Sequence, residues 1–196
     1  MILSTNPHDF AVAVRLLRGG AVAVFPTDTV YGLGVAVSEK TSPDAVFVLK
    51  NRDRGKTLPL LIGAGEQLQE LGREVPEYAF ALADQHWPGA LTLVVKASSA
   101  VPRQFQSDAG TIAVRYPAHP ATLALLEALG TPLAATSANR SGMPPALSVR
   151  ALDPALVNGV VLVIDGGISP GGIPSTIVSC TGHEPVLLRE GAIPWH

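Results

Sequence analysis

Residues 22–34 read VAVFPTDTVYGLG, an apolar run that gives way at once to hydroxyl groups and glycines. The apolar half is typical of a buried strand. The polar half, with Thr27, Thr29 and Tyr31, follows it directly. Because ligands of α/β sheets gather where loops meet at strand ends, this stretch predicts a buried strand and one wall of a small-molecule site.

The rest of the chain alternates between strand-like and helix-like segments. Apolar runs of strand length lie at 21–25, 58–62, 90–96, 111–115, 132–136, 160–164, 175–179 and 185–189. Helix signals occur at 6–7, 42–43, 76–86 and 118–130. This alternation predicts an α/β fold with helices flanking the sheet. We expect a mixed sheet in a single domain over residues 1–196, because 90–96 and the last two strands lack regular crossover helices.

Composition narrows the class of protein. The 196 residues are 47% hydrophobic and 15% charged, and the net charge of −2 argues against a generally basic nucleic-acid surface. The single cysteine, Cys180, excludes an internal disulfide and a cysteine-clustered zinc site. Residues 1–10 lack the features of a signal peptide, and no apolar run approaches the roughly 18 to 20 residues of a membrane-spanning helix. We expect a soluble, cytoplasmic protein.

Several common catalytic motifs are missing or incomplete. The chain has no Walker phosphate loop, Gly32 and Gly34 lack the third glycine of a dinucleotide fingerprint, and the histidines show no metal-ligand spacing. Residues 167–171, GISPG, fit the G-x-S-x-G pattern of a hydrolase nucleophile. That mechanism uses the N–H of the residue after the serine, and here this residue is Pro170, which has none. We interpret the segment as a glycine-rich turn.

Three polar clusters at strand ends remain, at 26–31, 136–142 and 174–176. Each alone is more often ordinary turn chemistry than a binding site. The run 50–56, KNRDRGK, adds four cations, which suit either a helix C-terminus or anion binding equally well. Arg115 and Arg189 end apolar strands, where an arginine either extends to solvent or grips a carboxylate or phosphate. Together these residues suggest a site for a polyanion such as ATP.

Seven segments identify a resemblance: FPTDTVYGLG, KNR, WPGALTLVV, AVRYPAHP, TSANRSG, PSTIV and LREGAI follow in this order from about residue 20 to 193. With this ordered set the chain resembles the YrdC/Sua5/TsaC family of threonylcarbamoyl-AMP synthases, in a short single-domain form. The resemblance implies a YrdC-like domain with a concave substrate-binding face. It also implies a nucleotidyltransferase that converts L-threonine, bicarbonate and ATP to threonylcarbamoyl-AMP and pyrophosphate, the first step of t6A modification at adenosine 37 of tRNA.

The resemblance also implies roles for individual residues. Lys50 and Arg52 match the family's K-x-R and would be the catalytic residues that hold the ATP phosphates. ATP would also be bound by Lys56, Thr111, Ser137, Asn139 and Arg189. Threonine and the carbamate would be bound by Thr27, Thr29, Tyr31, Arg115, Ala135 and Ser175. Mg²⁺ would be held mainly by ATP rather than by protein side chains, and a downstream threonylcarbamoyl-transferase complex would receive the product, with direct tRNA contact left open.

The loop 53–63 departs from the family pattern. Asp53 replaces the proline of K-x-R-P, Pro59-Leu60 comes two residues later than in many members, and Gly63 stands near the place of a histidine that contacts threonine.

Two other functions compete with the synthase. A YrdC-like tRNA- or rRNA-binding module without catalysis is disfavoured by the net charge and by the few aromatics for base stacking. A carbamoyl-adenylate transfer domain of a hydrogenase maturation protein belongs to much longer chains with zinc-finger cysteines.

Overall fold

A computed structural model describes residues 1–53 and 57–195, and this part of the chain forms a ten-stranded sheet with helices around it. The strands are β1 Ile2–Leu3, β2 Ala23–Phe25, β3 Gly32–Ala36, β4 Leu60–Leu61, β5 Leu91–Lys96, β6 Thr111–Arg115, β7 Leu133–Ser137, β8 Leu162–Ile164, β9 Thr176–Ser179 and β10 Val186–Arg189. The helices are α1 Pro7–Arg18, α2 Asp44–Lys50, α3 Gln67–Leu71, α4 Glu77–His86, α5 Pro120–Leu129 and α6 Pro154–Gly159, with 3₁₀ turns at Arg103–Phe105 and Val149–Ala151. Within the described residues, no helix has the length and apolar character needed to cross a bilayer.

The sheet is mixed, as predicted. Its strand order is β1-β8-β2-β3-β7-β4-β6-β5-β9-β10. Four neighbouring pairs are parallel, namely β1/β8, β2/β8, β4/β6 and β5/β9. The pairs β2/β3, β3/β7, β4/β7, β5/β6 and β9/β10 are antiparallel. The β2–β3 hairpin therefore places the loop of residues 26–31 beside the carboxyl end of β7.

Both faces of the sheet are packed, because successive side chains of a strand point to opposite faces. In β2, Val24 belongs to one buried cluster while Ala23 and Phe25 belong to the other. The cluster of Val24 includes Phe47 of α2, and the second cluster includes Leu17 of α1. Burial on both faces explains why the sequence of β2 is uninterrupted by polar residues.

Strand β3 is the main element that periodicity did not predict, because its sequence GLGVA reads as a turn. A Cβ on Gly32 would lie 2.9 Å from Phe25 Cε2, and one on Gly34 would lie 2.5 Å from the carbonyl oxygen of Ala134. These glycines are required by close packing rather than by chain reversal. The predicted strands all exist, most of them shorter by a residue or more, whereas β1, α3 and α6 were not predicted.

The free thiol of Cys180 gives a first prediction. This side chain is only 2% exposed, and burial raises its pKa to about 11. At pH 9 the native protein should therefore hold only ~1% of this thiol as the reactive thiolate. We expect native protein to resist iodoacetamide at pH 9 and guanidinium-unfolded protein to incorporate one equivalent, as measured by intact mass. Rapid labelling of the native protein would contradict the burial of this thiol.

Candidate active site

The loop that joins β2 to β3 is held by the hydroxyl of Thr27. Its Oγ1 donates to the carbonyl oxygen of Val30 at 2.6 Å and accepts from the N–H groups of Thr29 and Val30, both at 3.2 Å. The side chain is buried. This is the local turn chemistry of threonine, and it shapes the loop from within.

Arg115, at the end of β6, is tied to the same loop. Its Nη2 donates to Asp28 Oδ1 at 2.6 Å, its Nη1 to Thr29 Oγ1 at 2.9 Å and its Nε to the carbonyl oxygen of Gly89 at 2.9 Å. Its side chain is 7% exposed, and burial lowers its pKa although the charge of Asp28 opposes that shift. Because a guanidinium carries five N–H donors, two remain for a substrate carboxylate.

Tyr31 faces the glycine-rich segment that follows β8. Its hydroxyl donates to the carbonyl oxygen of Gly167 at 2.7 Å and accepts from the N–H of Gly166 at 3.3 Å. Burial raises the pKa of this phenol. Ser169 in the same segment is buried, and its Oγ accepts from the N–H of Thr27 at 3.4 Å. The G-x-S-x-G segment is thus a non-helical support for the 26–31 loop, as its proline indicated.

The cluster after β7 is joined to α2. Lys50 Nζ donates to the carbonyl oxygens of Ser137 and Asn139, at 2.5 and 2.6 Å, and to Asn139 Oδ1 at 3.0 Å. Ser137 Oγ donates to the same Oδ1 at 2.5 Å. Burial, and secondarily the charge of Arg52, lowers the pKa of Lys50 to about 8. Lys50 and the S-x-N segment therefore form one compact polar unit.

Arg52 lies next to this unit and is bound more loosely. Its Nη1 is 3.5 Å from Thr136 Oγ1, and its Nη2 donates to the carbonyl oxygen of Thr57 at 3.4 Å. Its Nε is buried and has no hydrogen-bond partner within residues 1–53 and 57–195. Burial lowers its pKa. Arg52 thus retains a donor for a ligand, while the predicted site residue Lys56 lies outside the described residues.

Ser175 and Arg189 meet at the far end of the sheet. Arg189 donates to the carbonyl oxygen of Ser175 from both Nε, at 3.2 Å, and Nη2, at 2.5 Å. Ser175 Oγ is 2.8 Å from Oγ1 of Thr92, a fully buried residue. Thr92 is a site residue that the sequence did not predict, although a threonine inside the apolar run ALTLVVK was a signal for it.

These polar clusters lie close to one another, and Arg52, Arg115 and Arg189 lie among them. The pKa of Arg189 is lowered by burial and then by the charges of Arg115 and Arg52. Ala90, next to the Gly89 carbonyl that binds Arg115, accepts the N–H of Thr176 beside Ser175 at 2.9 Å. The 136–142 cluster joins the 26–31 loop through the Ala138 N–H, which donates to the carbonyl oxygen of Tyr31 at 2.7 Å. The structure therefore brings the 26–31, 136–142 and 174–176 clusters to one region, and each cluster contacts one of the three arginines.

Two predicted residues do not enter this set of contacts. Thr111 begins β6, its Oγ1 is 2.7 Å from Ser107 Oγ, and it is four residues, or about 13 Å, from Arg115 along the strand. Ala135 is buried in β7, where its N–H donates to the carbonyl oxygen of Pro59 at 2.8 Å. Both roles rest on the resemblance alone.

Comparison with known proteins identifies the family of this chain. Residues 15–191 match the Sua5/YciO/YrdC family model, whose description reads "Telomere recombination". The chain belongs to this family. A Sua5/YciO/YrdC relative from Pyrococcus abyssi, named threonylcarbamoyl-AMP synthase, is 40% identical over 93% of this chain and 54% of its own length. The chain spans about half the length of this relative and of the similarly named Bacillus subtilis protein, of which it covers 56%.

Solved structures of the Sua5/YciO/YrdC family share the fold. The P. abyssi Sua5 structure complexed with L-threonine superposes with a TM-score of 0.91 at 38% identity, covering 97% of this chain and 57% of that one. Escherichia coli YciO gives a TM-score of 0.84 at 31% identity and covers 97% and 95% of the two chains. The mixed α/β fold with a twisted sheet is thereby confirmed.

The close packing of Gly171 on the 26–31 loop gives a second prediction. A Cβ on Gly171 would lie 2.6 Å from the carbonyl oxygen of Asp28 and 3.0 Å from Thr29 Cα. We expect Gly171→Ala to destabilise the fold by about 1–3 kcal/mol through overpacking, measured by urea unfolding. The control is Gly182→Ala, because a Cβ on Gly182 would have its nearest neighbour at 4.0 Å. Equal stability of the two variants would contradict this packing.

Proposed function

We propose that this chain catalyses the formation of threonylcarbamoyl-AMP from L-threonine, bicarbonate and ATP, with release of pyrophosphate. The observation that carries the proposal is that Arg52, Arg115 and Arg189 each contact one of the three polar clusters at the strand ends of a Sua5/YciO/YrdC fold. A site that receives ATP, bicarbonate and the carboxylate of threonine needs this density of cationic donors. The proposal covers residues 1–196 as one YrdC-like domain acting in the cytoplasm on the first step of tRNA t6A synthesis.

Threonine is assigned to a pocket that Arg115 and the 26–31 loop would form around it. The two unused N–H donors of Arg115 suit its carboxylate, and Thr29 Oγ1 is within 2.9 Å of that guanidinium. The solved P. abyssi Sua5 structure is a complex with L-threonine, which supports this choice through a relative of the same fold. Thr27, Tyr31, Ala135 and Ser175 would shape this pocket, three of them with hydroxyls already engaged inside the protein.

ATP is assigned to the region of Arg52, Ser137, Asn139 and Arg189, with Thr111 and Lys56 as further contacts. In the reaction, bicarbonate loses water to give CO2, the threonine amine adds to it with loss of a proton, and an oxygen of the resulting carbamate attacks the α-phosphorus of ATP while pyrophosphate leaves in line. The chain contributes position and charge: Arg52 neutralises the phosphates, and Arg115 fixes the amino acid.

Magnesium fits this arrangement as a companion of ATP. Within the described residues, no group of three His, Cys, Asp or Glu side chains could hold a metal ion. The Asn139 Oδ1 oxygen is occupied by the Lys50 ammonium at 3.0 Å, and that charge repels a second cation. We therefore assign Mg²⁺ to phosphate oxygens and water, which this ion retains readily.

The decisive test is pyrophosphate release by the purified chain, with L-threonine and bicarbonate omitted in turn. We expect pyrophosphate release only when both are present with ATP and Mg²⁺. We also expect a product with the mass of threonylcarbamoyl-AMP. ATP cleavage at the same rate with and without threonine would contradict the proposed synthase activity. Absence of both turnover and ATP binding, together with tight RNA binding, would favour the non-catalytic RNA-binding module. Delivery of the product to a transferase complex is a separate proposal that this assay leaves untouched.

A further inference from the structure

Lys50 has no N–H left to offer a phosphate. It is the last residue of α2, and it is 2% exposed. An ammonium group carries three N–H donors and no acceptor. Its three donors are used by the carbonyl oxygen of Ser137, the carbonyl oxygen of Asn139 and Asn139 Oδ1, at 2.5 to 3.0 Å.

The main chain of Lys50 also holds the far end of the same turn. Its carbonyl oxygen accepts from the N–H of Ser141 at 3.3 Å. The ammonium binds the beginning of the turn and the carbonyl binds its end, so a single residue contacts both ends of residues 137–141. Inside the turn, Asn139 Oδ1 accepts from Ser137 Oγ, and Asn139 Nδ2 donates to the carbonyl oxygen of Met143.

These contacts set the direction of two peptide groups. In a trans peptide the C=O and the following N–H point in opposite directions, so the carbonyls that face Lys50 direct the N–H groups of Ala138 and Arg140 away from it. The Ala138 N–H meets the carbonyl oxygen of Tyr31 at 2.7 Å. The Arg140 N–H has no acceptor in the part of the chain that the structure describes. It is a donor that the turn leaves available for a ligand.

We propose that Lys50 is a positioning residue, which holds the 137–141 turn in the conformation that receives the substrate phosphates and does not bind a phosphate itself. The Arg140 N–H and the Ser137 side chain are the groups it places, while Arg52, whose Nε is unpartnered within the described residues, contacts the anion directly. The identity of the substrate rests on the proposed function. Burial penalises the Lys50 charge, which accounts for its lowered pKa, and the three oxygens offset that penalty.

The first experiment needs no turnover. Hydrogen exchange measured by mass spectrometry compares wild type, Lys50→Met and the control Lys40→Met, which changes an exposed lysine. We expect Lys50→Met to speed exchange at least about tenfold in the peptide that covers 137–143, because the turn loses its ammonium contacts. Lys40→Met should leave it unchanged. If Lys50→Met does not fold, Lys50→Gln, which keeps two amide donors, replaces it with the same expected direction.

The second experiment is a double-mutant cycle with Asn139→Ala. If Lys50 acts through the turn, Lys50→Met should lower kcat about 100-fold in the wild-type background, since a displacement of about 1 Å has that effect. In the Asn139→Ala background it should lower kcat less than about threefold, because the turn is already disturbed. The KM for threonine should stay near the wild-type value in every variant.

Two results would overturn the proposal. Additive losses in the cycle with unchanged exchange at 137–143 would show that Lys50 contacts phosphate directly. Full activity of Lys50→Met would show that the turn needs no ammonium. The failure of the proposed function is distinguishable, because wild type would then release no pyrophosphate while the exchange comparison still decides whether Lys50 holds the turn.

Discussion

Arg52→Ala should reduce threonine-dependent pyrophosphate release about 10²- to 10³-fold, the usual loss when one donor to a developing charge is removed. The reason is that the hydrogen bonds of Arg52 to Thr136 and Thr57 are long, at 3.5 and 3.4 Å, and that its buried Nε has no hydrogen-bond partner in the described residues. A cation bound this loosely is held for a ligand more than for the fold. The measurement is kcat with saturating threonine and varied ATP.

Two variants sharpen the Arg52 result. Arg52→Lys keeps the charge but loses the planar fork, so it should recover only part of the activity. Arg140→Ala removes an exposed arginine that is paired with Asp153 at 2.7 Å, and it should leave activity within about threefold because exposed pairs contribute little. A thermal midpoint for Arg52→Ala close to wild type separates lost chemistry from lost folding. Retention of most activity in Arg52→Ala would remove this residue from the site.

Sequence periodicity located the buried strands because burial leaves a simple apolar signature. It failed where packing against neighbours decides the residue type. Gly32 and Gly34 lie in β3 because Phe25 and the Ala134 carbonyl leave no room for a Cβ, and nothing local distinguishes such glycines from turn glycines. Short helices such as α3, with five residues, carry too few positions for a period to be recognised.

In the site, too, the sequence predicted which residue types are present but not which partners they contact. The sequence indicated that Arg115 ends a strand and suits a carboxylate, but not that Asp28, from a loop 87 residues away, already occupies one of its donors. It indicated cations at 50–56, but not that Lys50 turns inward to three oxygens. Such partners are far apart in the chain, so only the folded topology brings them together.

The Arg115–Asp28 pair allows stability and substrate binding to be separated. The side chains are 7% and 14% exposed, and Nη2 lies 2.6 Å from Oδ1. Arg115→Met alone leaves the buried carboxylate of Asp28 without its cationic partner, so it should destabilise the fold by about 3–5 kcal/mol. The double variant Arg115→Met, Asp28→Asn removes both charges and should recover most of that loss, measured as the free energy of unfolding in urea.

Threonine binding should follow a different pattern across the same variants. If Arg115 holds the substrate carboxylate, the double variant should be stable yet raise the KM for threonine at least about 100-fold, because a charge-assisted fork has no replacement. Asp28→Asn alone keeps the arginine and an amide oxygen that can accept from its Nη2, so its KM should stay within about fivefold of wild type. Ala13→Gly, at a fully buried position of helix α1, is the control for lost stability: it should lower stability by about 2 kcal/mol through lost helix propensity and lost burial, without touching the site. If the double variant recovered threonine affinity together with stability, Arg115 would only stabilise the 26–31 loop. The carboxylate of threonine would then have to bind to another cation.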